Sequence, residues 1–182
     1  MNRKVSFATL AEPNIQAWKT FASDAVQQGR LDIQPGDPWA AYWAINSARA
    51  LAQVPPLEWP PPLAPTFSIN NITAAQYYPA PSPYYNVWHS LAGYTPGSDW
   101  MRLRVSPTLQ TRQRHATPSQ LVLPLIRTKS NIKHPWASGN GTTFPTTLPP
   151  HADGDWINIE LTPFNSDLVP GAAVVTALAI TV

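Results

Sequence analysis

The apolar positions of this chain change period partway along it. Ile15, Trp18, Phe21, Ala22, Ala25 and Val26 recur every three or four residues, with Lys19, Ser23, Asp24 and Gln27 between them. That spacing predicts an amphipathic helix of about four turns. Pro13 suits its first position, Glu12 its positive end and Gly29 its C′ position. The turn DIQPGDP follows, and Asp37-Pro38 is a cap-plus-proline start for a second helix. Trp39, Tyr42, Trp43, Asn46, Ala50 and Leu51 then repeat at helical spacing, and this helix must end before Pro55. Residues 1–11 are expected to form an arm, so 1–53 reads as an arm and a helical hairpin.

Such a hairpin is too small to fold alone and has to dock on the rest of the chain or on a neighbour. Trp18, Trp39 and Trp43 are its candidate contact residues. Either they cover the next domain of their own chain, or they form a partner interface, where Trp is favoured at buried centres.

Residues 54–65, VPPLEWPPPLAP, interrupt both periods. Proline fixes φ, removes a donor and pushes its predecessor out of the helical region, so this run is expected to be a stiff extended connector. After it the pattern becomes that of strands. Phe67, Ile69 and the following NIT give a first strand, and Asn86–Leu91 a second. Trp100–Val105 alternates Met101, Leu103 and Val105 against Arg102 and Arg104. Gln120–Arg127 is apolar, and Pro124 marks it as an edge strand or a bulge. Trp156–Leu161 sets Ile157, Ile159 and Leu161 against Trp156, Asn158 and Glu160, and Val174–Val182 closes the series. The span Ser138–Asp155 reads as a long loop or an extended excursion. The fold class expected is mainly β: an antiparallel sandwich over 66–182, preceded by the helical hairpin.

Composition changes this picture in three ways. Only 12% of residues are charged, about half the usual share, beside 22 prolines and 8 tryptophans. A surface so poor in charge points to a protein that works packed against something, itself or other subunits. Cysteine is absent, which removes disulfides, thiol catalysis and thiolate metal sites. Finally, the net charge of +2 hides an asymmetry. No acid lies between Trp100 and His151, whereas Arg102, Arg104, Arg112, Arg114, Arg127, Lys129 and Lys133 do. Aromatics are sparse between Trp100 and Trp136, so a stacking platform for single strands is poorly supported and nucleic acid is disfavoured as a partner. Neither a signal peptide nor a membrane span is expected, since the terminal AAVVTALAITV is too short to cross a bilayer as a helix.

The strands NVWHS, GSDWMRLRVSP, GDWINIELTPF and VVTALAITV together resemble a fibronectin type III or immunoglobulin-like domain. With its W-K-x-F and W-A-A-Y-W helical start and its proline linker, the whole chain resembles small uncharacterised proteins of bacteria and their phages. The resemblance implies a binding or structural module of the kind appended to phage particles and bacterial surface proteins. The two cysteines of immunoglobulin domains are missing.

Motifs for chemistry are scarce. His89, His115, His134 and His151 form neither HxxxH nor HExxH, and GxSxG, GxGxxG and the P-loop are absent. His151, Asp153 and Asp155 alternate in HADGDW, which is read more simply as a turn than as a cation site. Glu12, Glu58, Glu160 and the aspartates leave carboxylate hydrolysis as a third possibility behind two others. No cofactor and no catalytic residue is expected. Tyr77, Tyr78, Tyr84, Tyr85 and Trp88 cluster in QYYPAPSPYYNVW, either as a platform for a carbohydrate or a protein partner or as packing around a proline-bounded turn. The expected function is therefore a non-enzymatic structural or assembly protein, a phage or virus-like particle component located in a virion or an extracellular assembly. The alternative is a carbohydrate-binding or adhesion module.

Overall fold

Two helices and two antiparallel sheets follow one another along the chain. The structure is a computed structural model, and it describes residues 7–79, 84–93, 95, 98–106, 121, 122, 126, 127, 140–145 and 151–182.

Helix α1 spans Glu12–Gln27 and α2 spans Pro38–Leu51. Asp37 caps α2, its Oδ1 accepting from the backbone N–H of Trp39 and Ala40 at 3.0 Å each. Gly29 ends α1 at a φ of 66°, and the Arg30 N–H returns to the Ala25 carbonyl at 2.8 Å. Trp18, Phe21, Ala22 and Ala25 of α1 pack on Ala41, Tyr42 and Ile45 of α2. A 3-10 turn at Phe7–Thr9 lays Phe7 edge-on against Tyr42, with ring centroids 5.4 Å apart.

The face of α2 that turns inward is only partly the expected one, since Tyr42 and Asn46 are buried but Trp39, Trp43, Ala50 and Leu51 are not. Ala41, Tyr42, Ile45, Asn46 and Ala48 are buried, whereas Trp39, Trp43 and Leu51 are exposed. Both faces of this helix are apolar, so period alone did not choose between them. The small side chains of Ala41 and Ala48 are the ones that allow close approach.

Strands β1 (Ser68–Tyr78), β2 (Tyr84–Ala92) and β6 (Asn140–Pro145) form the first sheet, in the order β1-β2-β6. The second contains β3 (Trp100–Val105), β4 (Leu121–Val122), β5 (Ile126–Arg127), β7 (Trp156–Phe164) and β8 (Val174–Ala179), in the order β4-β3-β7-β8 with β5 also on β3. Ile69, Ile72, Ala75 and Val87 of the first sheet share one core with Leu103, Val105, Ile157, Ile159 and Leu161 of the second. Strand β7 is buried along both faces, as a central strand should be.

One expectation needs correction and another is met. The span 138–155 is not all loop, because β6 pairs with β2 through Tyr85↔Phe144 and Val87↔Thr142. The stretch around Pro124 lies at the sheet edge, as that proline implies, in two short pieces beside β3. Arg104 pairs with Val122 but Trp100 with Arg127, a register that gains one residue between the pieces.

The hairpin docks on its own chain. Val169 joins the Trp18 cluster, and Ala48 packs with Trp100, Phe164 and Leu168. Arg30 donates from Nε to the Pro170 carbonyl at 2.8 Å and from Nη1 to the Ala64 carbonyl at 2.7 Å. The C-terminal residues cross from one sheet to the other. Tyr77 N–H donates to the Thr181 carbonyl at 2.7 Å, and Thr181 N–H to that of Ala75 at 3.2 Å.

Candidate functional site

The proline run is laid along the hairpin by the polar atoms it still has. Proline lacks an N–H, so such a run offers mainly carbonyls. Trp18 Nε1 donates to the Glu58 carbonyl at 2.8 Å, and Asn14 Nδ2 to the same oxygen at 3.3 Å. Asn46 acts like a neighbouring strand, accepting from Leu57 N–H at 2.7 Å and donating to the Leu57 carbonyl at 3.2 Å. Arg49 Nε donates to the Pro55 carbonyl at 2.6 Å.

This arrangement separates the three candidate tryptophans. Trp18 is fully buried, between Phe21 and Tyr42. Trp39 is 55% exposed and Trp43 51%, their rings in edge contact at 6.0 Å. The exposed positions of α2 are Trp39, Trp43, Ser47, Ala50 and Leu51, one stripe at spacings of three and four that carries no charge. On α1 the exposed positions are Glu12, Pro13, Gln16, Lys19, Thr20, Ser23, Asp24 and Gln27, mostly polar or charged, the ordinary wet face of a surface helix. Trp43, Ser47, Ala50 and Leu51 also line a groove of about 580 Å³, with Tyr42, Asn46 and Pro56 completing its walls. A rule that outward faces carry charge would have found this stripe in the sequence, once Ala41, Ile45 and Ala48 are recognised as a second apolar face.

The aromatic cluster also separates. Tyr77, Tyr85 and Trp88 are buried. Tyr77 and Tyr85 face each other at 5.1 Å, and His151 meets both rings, at 6.4 and 5.9 Å. Only Tyr78 and Tyr84 are half-exposed; they stack at 4.5 Å and 18°, with Tyr78 Oη donating to Gln76 Oε1 at 2.7 Å.

Several ionisable groups among the described residues are held in structural contacts. Asp155 Oδ2 accepts from Ala152 N–H at 2.8 Å, and Asp153 Oδ1 from Val182 N–H at 3.1 Å, so HADGDW is a turn that holds the last strand. Among the described residues, no group of three His, Asp or Glu is placed to hold a metal ion. Arg102 and Arg104 both turn to Glu160, with N···O distances of 3.8 and 3.4 Å. The Thr162 hydroxyl donates to that carboxylate at 3.1 Å, and Arg102 lies 5.3 Å from the Phe164 ring centre. Burial lowers the Arg102 pKa, and Arg104 pushes it the same way while Glu160 opposes. Arg112, Arg114, Lys129, Lys133 and the side chain of Arg127 lie outside the described residues, as do His115 and His134. Burial takes His89 down to about 4 and lowers His151, which the Asp155 carboxylate partly offsets.

No helix among the described residues is long and apolar enough to cross a membrane. No family model matches the chain, and neither does any curated protein or solved structure.

Proposed function

We propose that the chain is a non-enzymatic assembly protein, a structural component of a phage or virus-like particle that works by packing against other subunits. The observation that carries this reading is the exposed stripe of α2. A wet helix face normally bears charge, and this one bears two tryptophans and none. Tryptophan is among the commonest anchors of protein interfaces.

In this reading the two sheets are a rigid immunoglobulin-like or fibronectin III-like sandwich. The strand order supports it. Lettered A to G along the chain, such domains put A, B and E in one sheet and C, F and G in the other. Here the first, second and sixth strands form one sheet, and the third, seventh and eighth align in the other. The hairpin is an outrigger fixed by Arg30 and the proline run, and it presents α2 outward.

The test is co-fractionation. In lysates of the organism that encodes it, the chain should sediment with particles far larger than its own 20.0 kDa. A double substitution, Trp39→Ala with Trp43→Ala, should shift it to the low-mass fraction. Recovery of the wild-type chain only as a free small protein would sink the reading.

A second reading, a carbohydrate-binding or adhesion module, rests on the half-exposed Tyr78–Tyr84 stack. Glycan-array binding that is lost in Tyr84→Ala would favour it. Trp88→Ala is no test, because Trp88 is buried.

A further inference from the structure

We propose that Arg102 and Arg104 together hold an oxyanion from outside the chain, a phosphate or carboxylate group, on the outer face of the second sheet. Met101, Leu103 and Val105 turn into the core, so the two arginines stand on the opposite face of β3. The register sets Glu160 of β7 opposite Arg104 and Thr162 opposite Arg102. Strand pairing thus brings together two guanidiniums, one hydroxyl and a single carboxylate.

That carboxylate does not satisfy both cations. Arg102 and Arg104 reach the same oxygen, Glu160 Oε1, at 3.8 and 3.4 Å, where a direct charge-assisted bond would be about 2.8 Å. The Thr162 hydroxyl occupies that oxygen as well, at 3.1 Å. The Nε–H of each arginine is shielded from water and has no acceptor among the described residues. A buried donor left unpaired is costly. Burial lowers the Arg102 pKa most, and Arg104 then lowers it by more than Glu160 raises it, so the local field is net positive. The chain has no second acid to give. All ten acidic residues are among the described residues, and of these Glu160 alone lies within ion-pair distance of either guanidinium. The face is also accessible and partly fixed. The two side chains remain 22% and 36% exposed, and the Phe164 ring centre, 5.3 Å from Arg102, steadies its fork. Two neighbouring planar forks suit an anion with several oxygens better than chloride, which offers one contact point.

The test is a nuclear magnetic resonance titration of the purified, nitrogen-15-labelled full chain with inorganic phosphate, the ionic strength being held constant with chloride. The Nε–H signals of Arg102 and Arg104 should shift together along one saturable curve. The Arg30 Nε–H, already bonded to the Pro170 carbonyl at 2.8 Å, is the internal control and should stay still. Arg104→Gln, which leaves Arg102 and Glu160 as a balanced pair, should weaken binding at least about tenfold. A second arm uses acetate. Phosphate acting alone identifies a phosphate group as the ligand, and acetate acting equally well identifies a carboxylate; both support the oxyanion site. Shifts that never saturate, an Arg30 signal that moves with the others, or equal affinity in Arg104→Gln would each overturn it. The first two of these outcomes need no variant. None of them depends on whether the chain enters large particles.

Discussion

Gln53 closes α2 with a φ of 58°, a left-handed conformation that usually falls to glycine. The bonds around it are those of a Schellman motif. Gln53 N–H reaches the Ala50 carbonyl at 3.1 Å, and Val54 N–H that of Arg49 at 2.9 Å. Gln53→Gly should therefore stabilise the chain by about 0.5–1 kcal/mol, read as a higher urea midpoint with an unchanged slope. The matching residue of α1, Gly29, was legible in the sequence because it is glycine, and Gln53 was hidden because it is not. His89 is the other residue with a measurable signature. Its pKa is about 4 folded against 6.5 unfolded, so the unfolded chain binds more protons between those values. Stability from this group is complete above about pH 6.5 and is lost as pH falls to 4, on the order of 3 kcal/mol in total. His151 shifts in the same direction. Urea titrations at pH 7, 5.5 and 4.5 should show this slope in the wild type, reduced by close to one proton in His89→Gln.

The turn after β7 is the element on which the hairpin depends. Asn165 Oδ1 accepts from the N–H of Asp167 and Val169, at 3.1 and 3.0 Å, and Asn165 Nδ2 donates to the Ala64 carbonyl at 3.0 Å. That geometry holds Leu168 at a φ of 64° and aims Leu168 and Val169 into the helices. The turn closes at Gly171, where an added Cβ would overlap Thr66 Oγ1 and approach Pro163 Cγ to 3.1 Å. Gly171→Ala should cost about 1–3 kcal/mol, measured by chemical denaturation. Elements with one apolar and one polar face were legible in the sequence, and α1 and β3 lie close to where their periods put them. Strand β6 was not, because NGTTFP carries no alternation and becomes a strand by pairing with β2. The inner face of α2 was misjudged for the opposite reason: too many of its positions are apolar.

Across the whole molecule, Arg30 joins hairpin, linker and sheets through two carbonyls that are far apart in sequence, those of Ala64 and Pro170. Burial lowers its pKa, but an arginine stays charged throughout the usual range. The fork of the guanidinium matters here, since an ammonium has only one nitrogen to offer two acceptors. Both Arg30→Ala and Arg30→Lys should loosen the hairpin. In calorimetry the variants should unfold over a broader range than the wild type or in two steps, and the far-UV signal at about 222 nm should change before the sheet signal at about 215 nm does. The Thr181 crossing acts over the same distance. Thr181 pairs in parallel with Gln76 of β1, accepting from Tyr77 N–H on one side and donating to the Ala75 carbonyl on the other. Tension that draws β1 back and the chain end forward would strain both bonds together in shear, whereas an antiparallel pair pulled at one end parts bond by bond. In the proposed assembly role, a load applied along the chain would pass through this seam between its sheets.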